Sequence, residues 1–168
     1  MRKHSYNNVS RLSLLILIAT LASCAVKEGA QEIYNRDWRN IEDAVPQDEP
    51  FSRYGNPDTY EVFGQNYQVM DSNAGFSEKG LASWYGTKFH GQRTSSGETY
   101  DMFAMTAAHK SLRIPTYVEV TNLNNDRKVI VKVNDRGPFH EGRVIDLSYA
   151  AATKLGVAET GTAPVVIR

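Results

Sequence analysis

Asp135 and Asp146 stand eleven residues apart, in the runs Val133-Asn134-Asp135-Arg136-Gly137-Pro138 and Val144-Ile145-Asp146-Leu147-Ser148. Val129, Val131 and Val133 share one face of an extended segment by its period of two, and Asp135 continues that row. A carboxyl group continuing an apolar row sits at the rim of a core, where desolvation favours its protonated form. A protonated carboxyl at neutral pH is what a glycosidic oxygen needs from a general acid. Asp135 fits equally well as a turn residue capping Arg136-Gly137. Asp146, between Ile145 and Leu147, reads either as an inward functional group or as a buried acceptor for backbone donors. Glu98 lies in the turn-like run Ser95 to Tyr100, and His109 follows Thr106-Ala107-Ala108. A lone histidine is more often a structural hydrogen-bonder than a catalyst. His90 and His140 stand in turn-like surroundings and are expected at the surface. The separations of His90, His109 and His140 match no metal-ligand pattern, so neither metal nor cofactor is expected. Trp84, Tyr85 and Phe89 suit a sugar-stacking platform or simple packing under a core. No phosphate-binding glycine loop and no nucleophile-elbow serine occur.

The elements that must position these residues are mostly strands and turns from Gly80 onward. Leu81–Tyr85, Thr116–Leu123, Lys128–Asn134, Arg143–Leu147 and Ala163–Ile167 read as short strands. The second and third are joined by the turn Asn124-Asn125-Asp126. Ser148 to Leu155 reads as a short helix, with Ser148 as its N-cap and Gly156 as its stop. About six strands and one or two helical turns over residues 80–168 suit a mainly β, closed barrel. Residues 57–70 alternate Tyr60 with Val62 and Tyr67 with Val69 about Gly64, which predicts a hairpin within a lead-in over 57–79.

The N-terminal part has a different character. Arg2, Lys3 and Arg11 precede an apolar run of 11 residues, Leu12 to Ala22, too short for a permanent span but right for an export signal over 1–23. Leu21-Ala22-Ser23-Cys24 resembles a bacterial lipobox, which makes Cys24 the expected site of diacylation and cleavage. A lipid anchor with more than one acyl chain binds stably, at roughly 0.8 kcal/mol per buried methylene. Ala25 and Val26 follow the cysteine with no aspartate, and the resemblance to sorted lipoproteins implies the periplasmic face of the outer membrane. Residues 24–56 read as the lipidated N-terminus and a flexible linker, because 25–56 are acidic and without periodicity; those 32 residues reach roughly 100 Å when extended.

The formal net charge is zero, but it is made up of +3 over residues 1–23, −6 over 24–79 and +3 over 80–168. The basicity of the last part is too small to argue for nucleic acid. One cysteine excludes an internal disulfide framework.

Taken together, Ala82-Ser83-Trp84-Tyr85-Gly86, Phe89-His90-Gly91, Thr94 with Gly97-Glu98-Thr99-Tyr100-Asp101, Met105-Thr106-Ala107-Ala108-His109 and the two aspartate runs resemble the rare lipoprotein A family. The likeness covers about residues 57–168 with the blocks in family order. It implies a six-stranded double-psi β-barrel, as in the expansin N-terminal domain. It also implies an enzyme, an endolytic lytic transglycosylase acting on peptidoglycan, often on strands stripped of stem peptides. By position, Glu98, His109 and Asp135 match the family's active-site groove. Asp146 matches the aspartate that expansin-like barrels require. The resemblance implies Asp135 or Asp146 as the acid/base, and Asp135 is the preferred one, oriented by His109 and Glu98. Trp84, Tyr85, Arg136 and Ser148 are assigned to substrate binding. The alternative is a non-catalytic, expansin-like wall-binding module. Two departures stand out. Many relatives carry a C-terminal repeat-type glycan-binding domain and this sequence ends at Arg168, which leaves septal recruitment and any cell-division partner open; and Arg113 replaces a common proline.

Overall fold

The computed structural model describes residues 37–168. The export signal, Cys24 and the start of the expected linker lie outside the described residues. Six strands form a closed barrel: β3 (Glu78–Trp84), β4 (Thr106–His109), β5 (Thr116–Asn122), β6 (Lys128–Asp135), β7 (Arg143–Leu147) and β8 (Ala163–Ile167). Their order around the barrel is β3-β7-β4-β6-β5-β8. The pairs β3–β7 and β4–β6 are parallel and the rest antiparallel. This is the mainly β, six-stranded double-psi barrel. Two further strands, β1 (Thr59–Val62) and β2 (Gln65–Gln68), make the expected hairpin beside it, with Tyr60 paired to Tyr67.

Alternation builds the core. Val118 and Val120, Val129, Val131 and Val133, Ile145 and Leu147, and Val165 and Ile167 all point inward and are buried. The helix α1 (Tyr149–Leu155) buries Ala150, Ala151, Ala152 and Leu155 against the same core. Ser148 caps it as expected, its Oγ accepting from the Ala151 N–H at 3.2 Å. Gly156 ends it at φ +79°, a left-handed conformation that glycine adopts without strain.

Two expectations are corrected. The linker expected over 24–56 does not extend through its second half, because residues 38–56 pack on the barrel. Trp38 is buried and stacks on Phe103 with ring centroids 4.8 Å apart. The Ala44 N–H donates to the Ile130 carbonyl at 3.0 Å, and the Ser52 N–H to that of Ile114 at 2.9 Å. Glu49 pairs with Lys132 at 2.8 Å and accepts from the Tyr117 hydroxyl, while Lys154 pairs with Asp43 at 2.7 Å. Hydrogen bonds and a buried tryptophan offset the chain entropy that would otherwise free this segment.

The second correction concerns Asp135. In the β4–β6 register Ala107 faces Val133, but Ala108 faces Asp135, so Asn134 is an extra residue in β6. Such a bulge reverses the alternation beyond it. Asp135 therefore leaves the valine face and shares the face of Ala108.

Candidate active site

The bulge sets both aspartates in one row. Ala108 pairs with Asp135 on β6 and with Asp146 on β7, and Asp146 in turn pairs with Ser83 on β3. Neighbouring strands lie about 4.8 Å apart, so the two aspartate backbones, separated by one strand, are roughly 10 Å apart. Asp135, Ala108 and Asp146 line one side of a cleft of about 730 Å³. Trp84, Tyr85 and Phe89 line it too, with Arg136, Phe139, His140 and Arg143. The aromatic trio thus lines the cleft while also packing: Trp84 lies against the core and Tyr149, and Tyr85 against Tyr100.

The two carboxyl groups have different surroundings. Asp146 has a side chain 15% exposed. Burial pushes its pKa above the ordinary aspartate value, opposed by the hydrogen bond from Ser83 and the charge of Arg143. Its Oδ1 accepts from the Ser83 hydroxyl, and its Oδ2 lies 3.9 Å from Arg143 Nη2. Arg143 Nη1 donates to Ser83 Oγ at 2.8 Å, so arginine, serine and aspartate form a chain. Asp135 is gripped differently: its Oδ1 accepts from the Ser95 N–H at 2.8 Å, the Ser95 hydroxyl at 2.7 Å and the Arg136 N–H at 2.8 Å. Its Oδ2 takes no hydrogen bond from the described residues.

Glu98 and His109 do not line the cleft; they brace its walls. Glu98 Oε2 accepts from Asn134 Nδ2 at 2.6 Å and Oε1 pairs with Lys132 at 2.9 Å, holding the bulge beside Asp135. His109 is 2% exposed. Its Nδ1 accepts from the Ser111 and Leu112 N–H groups, both at 3.1 Å, so the proton is assigned to Nε2, 2.9 Å from Glu78 Oε2. This bond holds Glu78 below the usual glutamate pKa, against its partial burial. The turn so fixed aims two carbonyls, of His109 and Leu112, at Arg136 Nη1, at 3.1 and 2.6 Å. Arg136 Nε donates to the Gly55 carbonyl at 2.8 Å and Nη2 to Asn56 Oδ1 at 3.1 Å. Gly55 has φ +75°, and a Cβ there would stand 2.7 Å from the Ser95 carbonyl, so only glycine lets this segment close on the Asp135 loop. The Arg136 guanidinium is thus committed to the protein. Ser148, fully buried at the helix cap, does not reach the cleft, which corrects its assignment to substrate binding.

Ser83, Ser95 and Arg143, which hold the two aspartates, were not singled out from the sequence. Ser83 left one signal, a small polar residue inside an apolar strand. Ser95 left none, since its partner is forty residues away.

Residues 77–167 match the family described as lytic transglycolase. The chain belongs to that family. Its relatives include the endolytic peptidoglycan transglycosylase RlpA of Vibrio cholerae, 51% identical over 91% of this chain and 60% of that protein. The protein of the same name from Pseudomonas aeruginosa is 58% identical over 78% of this chain and 38% of that one. The Neisseria meningitidis one is 54% identical over 74% and 52%. The chain therefore spans roughly two to three fifths of the length of these relatives. Among solved structures, a Streptomyces papain inhibitor is similar at TM-score 0.46 and 24% identity, covering 56% of this chain and 94% of that one. An expansin of Clavibacter michiganensis is similar at TM-score 0.42 and 21% identity, covering 55% and 50%.

Proposed function

We propose that this transglycolase-family chain is a lytic transglycosylase that cleaves the MurNAc–GlcNAc bond of peptidoglycan and leaves 1,6-anhydro ends, with Asp146 as its acid/base. The single observation that carries the choice of Asp146 is its burial beside the cleft, which shifts its pKa upward and so favours the protonated form a general acid needs. The names of the relatives support the substrate class. Asp146 gives its proton to the bridging oxygen as the bond from that oxygen to C1 breaks. The muramoyl C6 hydroxyl oxygen then closes on C1, and its proton passes to the Asp146 carboxylate. The acid is restored and no water is consumed, unlike two-carboxylate hydrolysis. Asp135, with Oδ1 fixed by three donors, turns Oδ2 toward the positive charge that develops at C1. Glu98, His109 and Arg136 are positioning residues that hold Asp135, and Trp84, Tyr85 and Phe89 receive sugar rings. Anchoring through a diacylated Cys24 on the periplasmic face of the outer membrane, with septal or other protein partners unassigned, completes the reading.

The test incubates the full chain with purified sacculi and with amidase-treated sacculi, and reads anhydro-ended fragments by mass spectrometry. Such ends from wild type, lost in Asp146→Asn, are expected. Binding without anhydro ends would establish the non-catalytic module instead. Undiminished activity in Asp146→Asn would remove Asp146 from the chemistry.

A further inference from the structure

The turn of the β1–β2 hairpin lies outside the range matched by the family, yet its first residue, Phe63, lines the cleft. Val62 pairs with Gln65, so the loop is Phe63-Gly64 alone. Both residues have positive φ, +53° and +78°, as in the type I′ turns that suit two-residue hairpins. Asparagine, aspartate and glycine are the residues for the first position of such a turn. A bulky side chain there holds the backbone in an unfavourable region. Phe63 is also 93% exposed, so its ring gains nothing from burial within the chain. A residue that is unfavourable for the turn and unburied in the fold has its use outside the molecule.

The arm that carries it is anchored in the cleft wall. Tyr60 and Tyr67 stack with centroids 5.3 Å apart, and both meet the cleft residue Phe139, at 6.2 and 5.3 Å. The Tyr60 hydroxyl donates to the Lys110 carbonyl at 2.8 Å. The ring is therefore presented at the rim from a fixed base.

We propose that Phe63 is a substrate-binding residue that stacks on a sugar ring of the glycan strand, away from the bond that is cut. The proposal rests on the glycan-cleaving reading above and adds a contact to it. Such a contact acts in the ground state and the transition state alike, so it sets KM and leaves kcat alone.

The test compares full-length wild type with Phe63→Asn and Phe63→Trp on soluble glycan strands released by amidase. Phe63→Asn installs a residue the turn prefers, so its melting temperature is expected at or above that of wild type. Its KM is expected to rise about tenfold with kcat unchanged, and Phe63→Trp to keep KM near the wild-type value. An unchanged KM in Phe63→Asn, or a KM rise shared equally by Phe63→Trp, overturns the proposal. Should wild type form no anhydro ends, the catalytic reading fails and calorimetric binding of the same strands decides the role of Phe63. Weaker binding by Phe63→Asn then supports it. Equal binding, or none by wild type, overturns it.

Discussion

Among the candidate site residues, the two aspartates differ in what surrounds them, and the proposed division of work rests on that difference. Asp146→Asn is expected to lower anhydro-end formation by about 10²–10⁴-fold, the range for loss of a general acid. The same change has a stability consequence of known sign. A carboxyl whose folded pKa is raised contributes stability that is present below its unfolded pKa and is lost as pH rises through the folded value. Thermal melts from pH 3 to 8 should therefore show Asp146→Asn overtaking wild type as pH passes above the ordinary aspartate range. The activity of wild type should fall through that same window, since the proton donor is being lost. The hydrogen bond from Ser83 lowers the Asp146 pKa, so Ser83→Ala should move this alkaline limb to higher pH. A limb that moves the other way would mean another group carries the proton. The preference for Asp135 that its sequence position suggested depended on unbroken alternation. The face reversal at Asn134 comes from how β6 registers against β4, and nothing in the run Lys128 to Asp135 records it.

The strands and the hairpin were legible where one face is wet. Thr116–Asn122 and Lys128–Asp135 alternate buried and partly exposed residues, and their hairpin pairing follows from the turn between them. The strand β4 was not legible. Thr106–His109 is Thr-Ala-Ala-His, with three of its four residues buried, so neither alternation nor β-branched content marks it. It nonetheless lies between β6 and β7 and brings the aspartates into one row. Its last residue, His109, closes the turn that aims carbonyls at Arg136. His109→Ala strips two backbone N–H groups of their acceptor and should cost about 2–4 kcal/mol by urea unfolding. Activity should fall with it, through Arg136 and Asp135. A variant that loses activity with no loss of stability would instead argue for His109 in the chemistry. Its partner Glu78 contributes stability present above the usual glutamate pKa and lost as pH falls through its lowered folded value. Glu78→Gln should flatten the melting profile below about pH 4.5, by less than about 1 kcal/mol, because that side chain is partly exposed.

At the scale of the whole described domain, the barrel matched by the family begins at residue 77, but the folded unit begins at Trp38. Acidic composition and scattered apolar residues made 38–56 read as free chain. Its order comes from partners far along the sequence, such as Ile130 and Lys132, which no local pattern announces. Trp38 also connects to the cleft. It stacks on Phe103, whose ring meets His90 at 5.6 Å, and His90 Nδ1 accepts from the Met102 N–H at 3.2 Å. His90 sits in the loop that carries Lys88, Phe89 and Gln92 to the cleft wall. Removing the tryptophan ring therefore opens a cavity in the core and frees one support of the cleft wall. Trp38→Ala should lose about 3 kcal/mol, a fall of roughly 10 °C in Tm for a domain of this size. Trp38→Phe, which keeps a ring against Phe103, should recover most of that loss. At a temperature where both variants stay folded, KM for glycan should rise more in Trp38→Ala than in Trp38→Phe. A free linker would give a Tm indifferent to either substitution, and that result would return residues 38–56 to the role of a tether.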